Sequence, residues 1–140
     1  MAENRNEFEQ KVYAAWLDTI YWVASEIKYR LLDMAGSVQK IYELTEEQLV
    51  TIMGLQGCER FVQHRKRYKP QKVWNYLTEI GVSYTYCQAS DFPGKLAEIP
   101  DPPFGIFYKG KLPGERIPAV AVIGARKCSE YGRLMAERFA

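Results

Sequence analysis

Residues 119–132 read Ala119-Val120-Ala121-Val122-Ile123-Gly124-Ala125-Arg126-Lys127-Cys128-Ser129-Glu130-Tyr131-Gly132: a small-apolar run, a glycine, two cations and the start of an amphipathic segment. The apolar run at 119–123 fits a strand buried on both faces of a parallel sheet. Gly124 permits a sharp turn where a side chain would clash. A helix is expected from about Ser129, with Leu134, Met135 and Phe139 on its apolar side. The free N–H groups and positive dipole end of such a helix favour an anion at the turn. Open α/β sheets bind ligands at the carboxyl ends of their strands, where this turn falls. Arg126 brings a fork donor and Lys127 a point charge, both suited to phosphate. In a dinucleotide-binding G-x-G-x-x-G loop, the place of Arg126 belongs to a glycine that lets pyrophosphate reach the backbone. A guanidinium there argues against NAD or FAD and for an outer phosphate, such as that of a nucleic-acid backbone.

Upstream of this turn, strands and short helices alternate. Val82–Cys87 and Phe104–Tyr108 are rich in β-branched and aromatic residues and read as strands. Between them Asp91 is placed to cap a short helix carrying Leu96 and Ile99, ended by Pro100-Asp101-Pro102-Pro103. This alternation begins an α/β layer fold.

The first half reads as helical. Apolar residues at three- and four-residue spacing predict helix over 7–35, closed by Gly36. Ser37 can cap a short helix through Tyr42, and Thr45 with Gln48 fits a capping box. Gly54 and Gly57 are expected to close that last helix. The basic stretch Glu59–Lys69 is either the exposed face of a helix or an arm that touches phosphate. Pro70 opens a further helix through Ile80, stopped by Gly81 at C′.

The 140 residues carry a net charge of +2 that hides an asymmetry. Residues 1–58 hold 5 basic and 9 acidic groups, residues 59–140 hold 14 and 8. A basic second half points to a polyanionic partner, set against a simply solvated surface. No stretch of 18 apolar residues exists to form a membrane span, and the polar start MAENRNEFEQK is no secretory signal, so the cytoplasm is the expected compartment. Cys58, Cys87 and Cys128 form no C-x-x-C pair, and His64 is the one histidine, which leaves no basis for a disulfide framework, a metal centre or a Ser-His-Asp triad. Neither an acid/base pair nor a nucleophile–base pair can be assembled, so no enzyme is expected. The 10 tyrosines and 3 tryptophans offer stacking platforms, but most fall at core positions of the expected elements.

One ordered series links these observations. Phe92-Pro93, Leu96, Ile99 and Asp101-Pro102-Pro103 are followed by Tyr108-Lys109-Gly110, then by Gly124, Arg126 and Tyr131-Gly132. The series resembles the DNA-processing protein A (DprA/Smf) family, whose members carry Y-P-x-x-L-x-x-I-x-D-P-P, a strand ending in K-G, and an apolar strand into G-S/T-R with Y-G shortly after. Phe92 stands for the family's tyrosine and Ala125 for its serine or threonine, which removes one hydroxyl from the turn. The resemblance implies an α + α/β fold. A small helical module of sterile-alpha-motif or helix-hairpin-helix type would occupy residues 1–68. The first strands and helices of a Rossmann-like, DNA-binding parallel sheet would follow over 69–140, truncated at Ala140. The glycine-rich hairpin common in that helical module is absent from Ile20–Glu26.

The resemblance further implies a non-catalytic recombination mediator that binds single-stranded DNA in DNA processing and natural transformation. Its expected partners are single-stranded DNA and a RecA-type recombinase, with a homodimer in the full-length protein, no cofactor, no metal and no membrane. The matching nucleic-acid-binding residues are Gly124, Ala125, Arg126, Lys127, Tyr131 and Gly132, with Arg126 on phosphate and Tyr131 packing. Two other readings stand beside it. A strand–glycine–basic turn also opens Rossmann-like phosphoribohydrolases, whose P-G-G-x-G-T-x-x-E stretch does not occur in these residues. The acidic, aromatic first half would also suit a helical partner-binding module.

Overall fold

The computed structural model describes residues 2–114, 116–118 and 120–139. In chain order it forms α1 (Ala2–Asp18), α2 (Ser25–Ala35), α3 (Val38–Glu43), α4 (Glu46–Arg67), α5 (Pro70–Glu79), β1 (Ser83–Tyr86), α6 (Gly94–Ala97), β2 (Gly105–Tyr108) and α7 (Glu130–Phe139). The architecture is α+β: a helical cluster with a two-stranded antiparallel sheet against it.

Local chemistry accounts for the helix boundaries. The single helix expected over 7–35 is broken at 19–24. There the Thr19 hydroxyl bonds the Trp16 carbonyl at 2.6 Å, and Ile20 and Val23 donate to the carbonyls of Leu17 and Ile20. Tight three-residue bonds of this kind end a helix. Gly36, in the left-handed region at φ 78°, closes α2. The Ser37 hydroxyl accepts from Lys40 N–H to start α3, and Thr45 and Gln48 form the full capping box of α4. Gly54 breaks the helical geometry of α4 (φ 72°, ψ 174°) without ending the helix, and Gly57 lies inside its second part. Pro70 opens α5 at N1, and Gly81 follows its C-cap with φ 66°.

Trp16, Leu17, Ile20, Leu31, Ile41, Leu49 and Phe61 are buried to within 2% of full burial and form the centre of the core. Each such side chain contributes about 1.5–3 kcal/mol through removal from water. Trp16 meets Tyr42 and Phe61 edge to face. Tyr84, Tyr86 and Phe104 extend the same cluster past residue 68, and α5 packs on α1.

The sheet departs from expectation. β1 and β2 pair antiparallel, with Ser83 opposite Tyr108 and Tyr86 opposite Gly105, rather than joining a parallel sheet. Among the described residues of 119–123, Val120 to Ile123 form no strand, and Val120 and Ile123 are 86% and 90% exposed. A strand needs a ladder partner for its N–H and C=O groups. No backbone hydrogen bond reaches Val120–Ile123 among the described residues. Asp91 does not cap a helix either. Its carboxylate accepts from the Thr85 hydroxyl at 2.5 Å and pairs with Lys11 at 2.8 Å, tying the β1 edge to α1, while α6 starts after Pro93 with no side-chain cap.

Candidate nucleic-acid interface

The basic turn is built on the N-terminus of α7. Ser129 fixes that end: its hydroxyl accepts from the Gly132 N–H at 3.2 Å, and its carbonyl accepts from Arg133 N–H at 3.0 Å. One of the helix's open donors is thereby satisfied and the others remain for solvent or an anion. Glu130 in the first turn suits the helix dipole, and Arg133 pairs with Glu137 at 2.9 Å one turn on.

The six residues expected to carry the site fall on this turn in order. Gly124 and Ala125 lie in exposed backbone without regular secondary structure, and Arg126 and Lys127 in an exposed bend. Tyr131, on the first turn of α7, is 71% exposed; Gly132 is half-buried beneath Ser129. Among the described residues no carboxylate pairs with Arg126 or Lys127, so both cations are open to a ligand.

Two expectations are corrected. Gly124 is not in the left-handed region and a Cβ there would meet nothing within 4 Å, so its backbone conformation does not demand glycine. Tyr131 packs on nothing that buries it and presents its ring to water. The segment 120–125 and α7 enclose an open hollow of about 650 Å³, walled by Val122, Ile123, Met135 and Phe139. Cys128 at the same end is exposed.

A second concave surface was not legible in the sequence. The 19–24 turn, the end of α4, α5 and Phe107 of β2 enclose a groove of about 700 Å³. The Trp16 indole N–H donates to the Tyr68 carbonyl at 2.9 Å and holds the α4–α5 corner in place. His64 sits in its wall, its Nε2 3.1 Å from the Thr19 hydroxyl, and burial holds its imidazole below the ordinary 6.5. Its sequence signal was the run Glu59–Lys69; that Trp22 and Phe107 would face the run was fixed only by packing.

Residues 83–140 match the family model described as DNA recombination-mediator protein A. Protein Smf of Borreliella burgdorferi is 46% identical over 50 residues, which are 36% of this chain and 15% of that protein. DNA processing protein DprA of Streptococcus pneumoniae is 45% identical over 47 residues, 34% of this chain and 17% of that protein. The matched stretch therefore spans about one-sixth of the length of these curated relatives. These matches bear out the resemblance carried by residues 91–132. No solved structure matches the chain significantly.

Proposed function

We propose that this chain is part of a DprA/Smf-type recombination mediator that binds single-stranded DNA without catalysis, and that Arg126 is the centre of contact. The observation that carries the reading is the open pair Arg126–Lys127 at the N-terminus of α7, inside the span that matches the family. An exposed guanidinium and ammonium beside unsatisfied helix N–H groups suit a phosphodiester, a contact that positions a strand without reading its sequence.

In this reading residues 1–68 are a helical module and 69–140 begin a Rossmann-like DNA-binding domain. In the complete domain 119–123 takes its place as a strand of a parallel sheet, which would bury Val120, Val122 and Ile123 and turn Gly124–Lys127 toward the strand ends. Gly124, Ala125, Tyr131 and Gly132 shape the turn that holds the cations. A RecA-type recombinase as partner, a homodimer, a role in transformation and a cytoplasmic location follow from the family reading.

The test is fluorescence anisotropy of a labelled oligothymidylate against this chain across a salt series. The expected result is affinity that falls linearly in log–log form, by about 0.7 per phosphate neutralised for a single strand. Arg126→Glu should weaken binding roughly tenfold or more, the worth of one charge-assisted contact. An Arg126→Glu chain that binds as tightly as the parent would overturn the assignment.

A further inference from the structure

The run from Arg60 to Lys72 is more than a solvated face. It lines one side of the 700 Å³ groove, and its cations lie among aromatic rings. The Arg60 guanidinium is 4.2 Å from the Trp22 ring centroid and that of Arg67 is 5.3 Å from the Tyr68 ring. The His64 and Tyr68 rings lie 4.7 Å apart. A smaller hollow of about 240 Å³ adjoins the groove, sharing Trp22, His64, Arg67 and Tyr68 with it. Among the described residues no carboxylate lines either one.

The cations divide into spent and open ones. Arg65 is used internally, donating to the carbonyls of Tyr42 and Leu44 at 2.9 and 2.8 Å, and Lys69 reaches the Tyr42 hydroxyl at 3.3 Å. Arg67 and Lys72, both exposed, form no ion pair among the described residues. At the rim, Tyr21 is 87% exposed and Tyr76 60%. Open cations beside the exposed rings of Tyr21 and Tyr76, in a concavity that no carboxylate among the described residues lines, suit a ligand of alternating flat rings and anions. The volume fits a nucleotide-sized group.

We propose that this groove is a second contact site for single-stranded DNA, with bases stacked on Trp22, Tyr68 and Tyr76 and phosphates paired with Arg67 and Lys72. The proposal rests on the single-strand reading above but assigns contact to residues that reading does not use. The positive charge and the aromatic exposure favour a nucleic-acid strand over an apolar peptide, which would leave Arg67 and Lys72 unpaired.

The test labels this chain with 5-fluorotryptophan and follows its 19F spectrum as an oligothymidylate of about 12 nucleotides is added, a length within the usual range of single-strand sites. Trp16 is buried in the core and Trp74 lies against Phe8 at 5.3 Å, so each serves as an internal control. The Trp22 resonance, assigned with Trp22→Phe, should shift or broaden while those of Trp16 and Trp74 stay. The response should persist in Arg126→Glu. It should vanish in Arg67→Glu/Lys72→Glu, with affinity down roughly tenfold or more. An unmoved Trp16 resonance in that double variant reports an intact core. If anisotropy shows binding that Arg126→Glu weakens but Trp22 does not respond, the groove proposal is overturned and the Arg126 reading stands. If Trp22 responds and Arg126→Glu changes nothing, the groove stands and the Arg126 assignment falls. If the strand does not bind at low salt, or only an acidic peptide moves Trp22, the groove proposal fails.

Discussion

Asp18 holds together three parts of the core. Its Oδ1 accepts from the Lys28 ammonium at 2.6 Å and its Oδ2 from the Tyr84 hydroxyl at 2.7 Å, so α1, α2 and β1 meet on one carboxylate. Burial, and then the Asp18 charge, push the Tyr84 phenol well above 10 and keep it a donor. Glycine is required at 105 by the same cluster, since a Cβ there would overlap the Tyr84 hydroxyl. Lys28 is 5% exposed, so Asp18→Asn leaves an ammonium buried without its counter-charge. Loss of one partner of a buried pair costs about 3–5 kcal/mol, and urea unfolding of Asp18→Asn should show a deficit of that order. A midpoint shift worth well under 1 kcal/mol would mean that water reaches the pair. His64 gives a pH prediction. Burial disfavours its charged form, so the unfolded chain takes up a proton near pH 6.5 while the folded chain resists until lower pH. Stability is then complete above pH 6.5 and declines as pH falls below it toward the folded value. A thermal melt should drop as pH falls below 6.5 in the parent, and less in His64→Gln. Equal slopes in the two proteins would remove His64 as the cause.

Among the elements, α4 shows how a glycine signal was half legible. Sequence marked Gly54 as a break, and the backbone does leave helical geometry there, at a φ/ψ pair that in practice only glycine adopts. It does not end the helix, because Leu49 before the kink and Cys58, Phe61 and Val62 after it all reach the core. Tertiary packing thus restarts what local propensity would stop. A Cβ at 54 meets nothing within 4 Å, so the cost of Gly54→Ala is conformational rather than steric. Denaturation should register about 1–3 kcal/mol of lost stability. An alanine variant as stable as the parent would show that the two halves of α4 pack equally well without the kink. Caps and proline starts were legible because each is a local hydrogen bond or a fixed φ, as with Ser37, Thr45–Gln48 and Pro70. The 119–123 run was not, because a strand exists only with a partner, and alternation and composition cannot say where a ladder forms.

At the scale of the whole molecule, the acidic first half and basic second half meet in one core cluster that crosses residue 68, so charge and packing follow different boundaries. The capped helices α3 to α5, the strands β1 and β2, the helix α7 and the exposed basic turn could be read from the chain. The antiparallel β1–β2 pairing and the groove joining residues 19–22 to 64–77 and 107 could not, since both depend on contacts far apart in sequence. The same contrast sets the stability profile. From Val12 to Val62 the buried hydrophobic side chains, apart from Ile20, Val23 and Leu44, lie on helices, whereas Val120 to Lys127 are exposed and make no backbone hydrogen bonds among the described residues. Amide exchange reports the free energy needed to expose each N–H, which is near zero for groups already open to water and approaches the global value in a core. Hydrogen–deuterium exchange should therefore complete within the first time point for the amides of Val120–Lys127, while those of α1 around Leu17 and α4 around Phe61 are the last to exchange. Adding oligothymidylate at low salt should slow Arg126 and Lys127 if phosphate occupies the turn, and slow Arg67 to Lys72 if it occupies the groove. Protection of 120–127 in the free chain would instead mean that this run finds a ladder partner in solution, and the unpaired state of the segment would have to be given up.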